Sequence, residues 1–375
     1  MTGSAHIIAA ARTSVVPSGG DFRDLDFDAL AVAPLQECLA RAGVAPGQVD
    51  ELILSNALGA GGNAARVTAL AAGLPDRIAG LSIDRQCAGG LDAIMLAQAL
   101  IEAGHAHVVL AGGSESHSLR PQRHYRTRWN AEPMLREQAR FTPWPGRDPE
   151  MAEAVSRLAD EEGISAESQH QWAVSSHAKA RAALDAVSAE IRNPDGLEVR
   201  GDPFARRLTM PTCARARRIT GTITTANTSV AADGAAFVLV VSGAVRERLA
   251  PQFGLRVLHG ATVGDDPEIP AIAPVRAIET VLARIGMNAG EFTVIELMEA
   301  YAAQAIACMH GAGLDPALIN PGGGSLARGH PIGASGAILA VRLFYELRGR
   351  GGLGLAAIAA AGGLGSALVV ESVVR

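Results

Sequence analysis

Among the four cysteines of the chain, Cys87 stands where a strand signal gives way to a helix start made of small residues. The stretch from Leu81 to Leu96 reads LSIDRQCAGGLDAIML. Gly80 to Asp84 has the make-up of a short strand, and Leu91, Ile94, Met95 and Leu100 fall on one face of the helix that follows. Ala88, Gly89 and Gly90 put no bulk between them, so a carbonyl carbon can approach the sulfur and the unpaired N–H groups of the helix start. The same helix end favours thiolate over thiol, and the thiolate is the nucleophile. By itself the stretch leaves two readings open: a catalytic nucleophile, or a small buried core side chain.

Three further segments could carry chemistry. Gly329 to Gly336 reads GHPIGASG and sets His330 in a glycine-lined turn before a second buried helix. Histidine is the side chain best suited to take a proton from a thiol near neutral pH. Leu297 to Tyr301 (LMEAY) joins a strand to a helix, and Ala359 to Gly365 (AAAGGLG) is a glycine loop between the last two strands. Each alone could be no more than a tight turn.

These segments need a scaffold, and the chain supplies an alternation of strands and helices. His6 to Ala11 reads as a strand, Leu25 to Ala42 as a helix closed by Gly43, Glu51 to Asn56 as a strand and Ala64 to Ala72 as a helix stopped at Gly73-Leu74-Pro75. The Cys87 unit follows, then a strand from His107 to Ala111 running into Gly112-Gly113-Ser114-Glu115-Ser116. This order predicts an α/β fold with helices on both faces of a sheet. The rhythm then breaks. Leu119 to Arg147 holds seven arginines against two glutamates. Asp148 and Pro149 have the types of an N-cap and first helical residue, and Ser165 opens a helix expected to reach about Ile191. A second arginine cluster ends in Arg215, Arg217 and Arg218.

Beyond it, GTITTANTS (221–229) reads as an extended turn into a short helix around Ala232 to Ala235, with Phe237 to Ser242 as the next strand. From Gly254 the pattern restarts: strand Leu255 to Val263, helix Pro274 to Ile285, strand Val294 to Met298, helix Tyr301 to His310, helix Ala334 to Leu347, and strands Leu355 to Ala360 and Ala367 to Ser372. GASGAILAVRLF (333–344) echoes CAGGLDAIMLAQ (87–98). Two similar halves packed together would bring both helix starts to the middle of the molecule. The expected units are 1–118, a helical insertion over 119–218, a completion of the first half over 219–248, and a second half over 249–375.

Composition sets bounds on these readings. A content of 48% hydrophobic and 4% aromatic residues implies a large core of small aliphatic side chains. The net charge of −5 argues against a nucleic-acid partner. Cys38, Cys87, Cys213 and Cys308 lie far apart without C-x-x-C spacing, so neither a disulfide framework nor a metal site is expected, and a reducing cytoplasm fits. No cationic region with a long apolar run opens the chain, so no secretory signal is expected. The uncharged span from Gly351 to Val370 carries six glycines and reads as two buried strands, not as a membrane helix.

Taken together, GGSLARGHPIGASG (323–336), RQCAGGLDA, GGSES, TTANTS and DGAA resemble the motifs of the thiolase family, in order and along the whole chain. The resemblance implies two related five-stranded mixed-sheet halves in a layered α-β-α-β-α arrangement, with a helical loop domain over the site. It places the family's nucleophile at Cys87 and its histidine at His330, with an oxyanion held by N–H groups at Cys87 and near Ala361. Ser229 falls beside the pantetheine arm of the coenzyme A thioester. Arginine pairs well with phosphate, so Arg215, Arg217 and Arg218 are candidates for the coenzyme's phosphates, with solvated surface charge as the equal alternative. No further cofactor is implied, and the family's habit is a homodimer.

Two positions depart from the family pattern. Met298 stands where an asparagine, or in some branches a histidine, is usual, and Ala359 stands where a second cysteine serves as acid and base. Methionine positions no water and alanine moves no proton. The resemblance therefore implies an acyl-CoA acyltransferase with an intact acylation half and a Claisen half short of its usual groups, so that acetyl-CoA condensation is weak or absent. From a different class, the alternative is a catalytically weakened subunit that binds acyl-CoA or a partner chain.

Overall fold

The computed structural model describes residues 3–136 and 138–375; Met1 and Thr2 of the first unit and Glu137 of the arginine-rich loop lie outside them. Its strands run, from one edge of the main sheet to the other, Val294–Leu297, Leu353–Ala360, Leu364–Val374, Phe253–Gly264, Ala5–Arg12, Ala232–Ser242, Val108–Glu115, Glu51–Ser55 and Leu81–Ile83. The two halves meet through the pairs His6↔Arg256 and Ile7↔Leu255. Each half has the same topology. Glu51–Ser55 lies parallel to Val108–Glu115, which is antiparallel to Ala232–Ser242 and then Ala5–Arg12. Val294–Leu297 likewise lies parallel to Leu353–Ala360, antiparallel to Leu364–Val374 and then Phe253–Gly264.

The fifth strand of the first half, Leu81–Ile83, is parallel to Glu51–Ser55. Its counterpart in the second half shrinks to one bridge, Ile295↔Ile319. Asn320 explains the loss. It takes a left-handed φ of 46°, and its side chain accepts from Leu297 N and donates to Leu297 O, both at 2.8 Å, replacing a ladder with amide bonds.

Two long helices, Gly89–Glu102 and Ile332–Arg350, form the middle layer. They touch through backbone, because a Cβ on Gly90 would stand 2.6 Å from Ala337 N. Leu91, Ile94, Ile338 and Leu343 fill the core around them with the inner faces of both half-sheets. The outer face of the first half packs under Phe27–Ala42, which starts at the Asp26 cap and ends at left-handed Gly43. Ala273–Ile285 covers the second half.

Four expectations are corrected. Ala232 to Ser242 forms a single strand with no helix at Ala232 to Ala235, because small residues carry no period and both edges of the segment are paired. The strand expected to stop at Ala111 continues to Glu115, its glycines lying where a Cβ on Gly112 would meet Phe237 Cα at 2.9 Å. The helix from Ser165 breaks at Ala183, giving Ala166–Ala182 and the short Leu184–Val187. Asp148 caps no helix: Met151–Glu161 starts after Glu150, and the Asp148 carboxylate accepts from Phe141 N at 3.2 Å. The span from Gly351 to Val370 is held in the last two strands, as expected. Among the described residues no helix is long and apolar enough to cross a membrane.

A buried ionic cluster ties the insertion to both halves. Glu190 pairs with Arg12 of the first strand at 2.6 Å and with Arg342 of the second central helix at 2.8 Å, while Asp202 pairs with Arg12 at 2.7 Å. Removing one partner from such a cluster costs ~3–5 kcal/mol, since a charge is left buried and unpaired. The helix Ala166–Ala182 docks by a second route: Trp172 Nε1 and Ser176 Oγ donate to the buried carboxylate of Glu299 at 3.1 and 2.7 Å.

Candidate active site

Cys87 sits in a tight turn, Gln86–Ala88, between the strand Leu81–Ile83 and the helix Gly89–Glu102. The turn is strained. Gln86 holds a φ of 49°, a region non-glycine residues rarely occupy, and such strain is kept where surroundings over-determine it. Asp84 contributes by accepting from Gln86 N at 2.9 Å. The result is an elbow that lifts the sulfur off the helix start.

His330 is held by a different device. Gly329 adopts a φ of 114°, where only glycine is comfortable, and a Cβ there would meet Ala232 Cβ at 2.9 Å. His330 N donates to Val230 O at 2.8 Å, which fixes the backbone. Ser335 Oγ donates to Pro331 O at 2.9 Å and so must accept from His330 Nδ1, 2.7 Å away. The imidazole proton is thereby placed on Nδ1. The lone pair of Nε2 then faces Cys87 Sγ at 3.1 Å. The Glu115 carboxylate ties the turn after Glu51–Ser55 to the start of the helix behind His330 by accepting from Ala57 N at 3.0 Å, Leu58 N at 3.1 Å and Gly333 N at 2.9 Å.

Burial pushes the Cys87 thiol up to about 12, with the charges of Glu115 and Asp84 adding to it. Burial also pushes His330 down to about 4, and His117 adds to that. Both shifts run against the expected thiolate and toward a thiol beside a neutral imidazole, the loss of solvent around the sulfur opposing the helix end. Such a pair makes its nucleophile only as the proton crosses to Nε2.

Both groups open into a cavity of about 460 Å³. Leu58, Phe141, Met151, Val155, Pro270 and Ile332 supply apolar wall, and Ala359, Ala360 and Ala361 line it beside Cys87 and His330. Met298 is absent from this wall. It is buried in the central core, and its N–H donates to Ala357 O at 2.9 Å. Ser229 is not on the wall either, its hydroxyl donating to Glu299 O at 2.6 Å. Arg215, Arg217 and Arg218 are exposed outside the cavity; the arginines that line it are Arg120 and Arg123. Cys308 is buried in its helix, donating to Ala271 O at 3.2 Å. Among the described residues no group of three or more His, Cys, Asp or Glu side chains is placed to hold a metal ion.

Sequence reasoning missed His117, Arg120, Arg123 and Gln304, all on the wall, and named Tyr301, also on the wall, only as a substitute, with Glu299, for the missing groups of the second half-reaction. For His117 a signal existed. It lies just past the C-terminal end of Val108–Glu115, which runs in the same direction as Leu81–Ile83, and in such sheets ligands meet the carboxyl ends of the strands.

The sequence and the fold have counterparts among known proteins. The family model described as "Thiolase, N-terminal domain" matches residues 5–244, and "Thiolase, C-terminal domain" matches residues 253–372. YhfS of Bacillus subtilis is 38% identical over 376 residues, covering 98% of this chain and 99% of its own. An acetyl-CoA acetyltransferase of Cupriavidus necator is 34% identical, covering 97% and 98%. The crystal structure of the Bacillus anthracis acetyl-CoA acetyltransferase superposes with a TM-score of 0.91 at 32% identity, covering 99% of both chains. That of human mitochondrial 3-ketoacyl-CoA thiolase gives 0.89 at 29% identity, covering 98% of both.

Proposed function

The chain belongs to the thiolase family and is an acyltransferase, and from that premise we propose that it forms an acyl-enzyme on Cys87 with His330 as base, taking the acyl group from a coenzyme A thioester. Cys87 Sγ attacks the thioester carbonyl carbon while its proton moves to His330 Nε2. N–H groups at Cys87 and in the Ala361 turn hold the oxyanion of the tetrahedral intermediate. Collapse breaks the carbon–sulfur bond to coenzyme A, and the departing thiolate takes the proton from His330. The acyl group is left on Cys87 and the imidazole returns to its neutral state. The observation that carries this reading is the 3.1 Å contact between Sγ and an Nε2 whose lone pair is fixed by Ser335.

The next half-reaction lacks the family's second cysteine and its asparagine. Ala359 offers no proton to the cavity and Met298 offers no anchor for water. The reading therefore commits to fast acylation and acyl exchange beside slow carbon–carbon chemistry. It needs no cofactor beyond the thioester, and takes the enzyme to be a cytoplasmic homodimer, by analogy with the family and from its four unpaired cysteines.

Intact-mass measurement after mixing with acetyl-CoA tests it. A single acetyl adduct is expected on the wild type, with release of free coenzyme A, and none on Cys87→Ala. A wild type that neither gains the adduct nor releases coenzyme A overturns the reading.

A further inference from the structure

We propose that His117 is a second catalytic histidine of this cavity, donating a hydrogen bond from Nε2 to the thioester oxygen of the incoming carbon nucleophile. The proposal rests on the acyl-enzyme reading and assigns a group to the carbon–carbon step that comes after acylation. His117 lines the cavity together with Cys87 and His330. Its Nδ1 lies 2.9 Å from Arg120 Nη1 and 3.1 Å from Ser18 Oγ. A guanidinium only donates, so Nδ1 carries the lone pair and the proton of the neutral ring is on Nε2. Arg120 is itself anchored, since the same Nη1 donates to His117 O at 2.9 Å. Ser18 N is fixed to Ala231 O at 2.9 Å.

The two imidazoles of the cavity are thus held in opposite tautomers. His330 presents an acceptor at Nε2 and His117 presents a donor at Nε2. Carbon–carbon bond formation from an acyl-CoA needs both: a base for the α-proton, and a donor for the thioester oxygen as negative charge moves onto it. After acylation His330 Nε2 is free again and takes the α-proton. The α-carbon bonds to the acyl carbonyl carbon on Cys87 as the enolate oxygen, held by His117, returns to a carbonyl. The bond to Cys87 Sγ breaks, and the thiolate recovers its proton from His330. No external acid, base or oxidant enters. The Gln304 amide is already engaged at both ends, its Nε2 donating to Cys308 Sγ at 3.5 Å and its Oε1 accepting from Ala300 N at 3.2 Å. The Tyr301 hydroxyl is the competing donor, but no hydrogen bond among the described residues orients it, whereas two orient His117.

The test is deuterium wash-in at the α-carbon of acetyl-CoA in D2O, read by mass spectrometry beside acetoacetyl-CoA thiolysis and acetyl-adduct formation. His117→Phe is expected to slow wash-in and thiolysis by about two powers of ten, the usual cost of one oxyanion donor, against no more than a several-fold change in adduct formation. His117→Gln, which keeps an N–H donor, is expected to recover part of the loss and covers the case of a Phe variant that does not fold. Wild-type wash-in rates in both variants would overturn the proposal, as would an equal fall in adduct formation or a loss that tracks Tyr301→Phe instead. A wild type that forms the adduct without any wash-in also overturns it and leaves the acyl-transfer reading standing. A wild type without the adduct fails the acyl-transfer reading itself.

Discussion

Two walls of one cavity are built to different degrees of completeness. On one, Cys87 and His330 arrive from equivalent helix starts of the two halves, each fixed by its own backbone device, and meet at 3.1 Å with the proton path defined. On the other, the strand end at Ala359 offers methyl groups, and the motif residue behind it, Met298, is sealed in the core at 1% exposure. On the proposed reading the first wall makes and breaks the thioester, while the second lacks the family's cysteine and asparagine and leaves the carbon acid to His330 and His117. The repeat explains how they can part company. Each half supplies one member of the reactive pair, so that pair depends on both sheets, whereas Met298 and Ala359 come from the second half alone.

Removing the base from the complete wall has the largest expected effect. His330→Asn should slow acetyl-adduct formation by about 10²- to 10⁴-fold, the usual contribution of general base catalysis. The pH profile identifies the group. His330 lies near 4, so it is neutral and able to accept a proton above that value and is lost as a base as pH falls through it. The wild-type rate is therefore expected to be level from about pH 5 upward into the neutral range and to fall below about pH 4. The variant should lack that acid limb. A limb near pH 6.5 in the wild type would mean that the imidazole is better solvated than its burial implies.

Restoring the missing wall has an intermediate effect. Met298→Asn with Ala359→Cys should raise acetoacetyl-CoA formation by about one to two powers of ten, chiefly through Ala359, which lines the cavity and where a cysteine returns an acid–base group. The gain comes with a loss of stability. Met298 is enclosed, so an asparagine there must find partners in the core or cost ~1–3 kcal/mol, read as a lower thermal midpoint. Fast condensation by the wild type, unchanged in the double variant, would show that His330 and His117 suffice for the carbon–carbon step and that the cysteine and asparagine are not needed here.

Sequence distance governs how much of this contrast was legible before the fold. The glycine and small-residue turns around Cys87 and His330 encode their own geometry, so both residues and the helices behind them could be read directly. Gly113 and Gly90 show the limit. Their lack of a side chain reflects the second half, since Gly113 packs on the Gly333 backbone and Gly90 on Ala337. The strand at Ala232 to Ser242 was misread at its start because Ala-Asp-Gly-Ala has no period, and pairing on both edges decided the matter. The upward push on the thiol was missed because helix-end electrostatics is local, while the cavity that shields the sulfur is closed by segments from both halves, from Leu58 to Ala361. His117 was hidden for the same reason: Arg120 is near in sequence, but Ser18, which completes its orientation, is 99 residues distant.

The smallest expected effect lies outside both walls, on the approach to them. Arg215, Arg217 and Arg218 are all exposed, at the end of the helix Met210–Ala214 and the start of the strand Arg218–Thr220. Among the described residues none of them forms an ion pair. An exposed charge acts weakly, about 0–1 kcal/mol per contact, and salt shortens its reach from roughly 10 Å at 0.1 M to roughly 3 Å at 1 M. If these side chains draw in the phosphates of the thioester, replacing all three by glutamine should weaken acyl-CoA binding by a few-fold at low salt and scarcely at all at high salt, measured by titration calorimetry. Arg123, which lines the cavity and is half-buried, would hold more of any contact of its own at high salt, because screening is weaker where water is partly excluded, whereas the exposed Arg120 would lose its contacts as the three do. No change at either salt would leave the three as surface charge and shift phosphate binding toward the cavity arginines. An equal loss at both salts would mean that the small hairpin pairing Arg218–Thr220 with Ile223–Thr224 had been disturbed, so the salt dependence, not the size of the loss, decides the role.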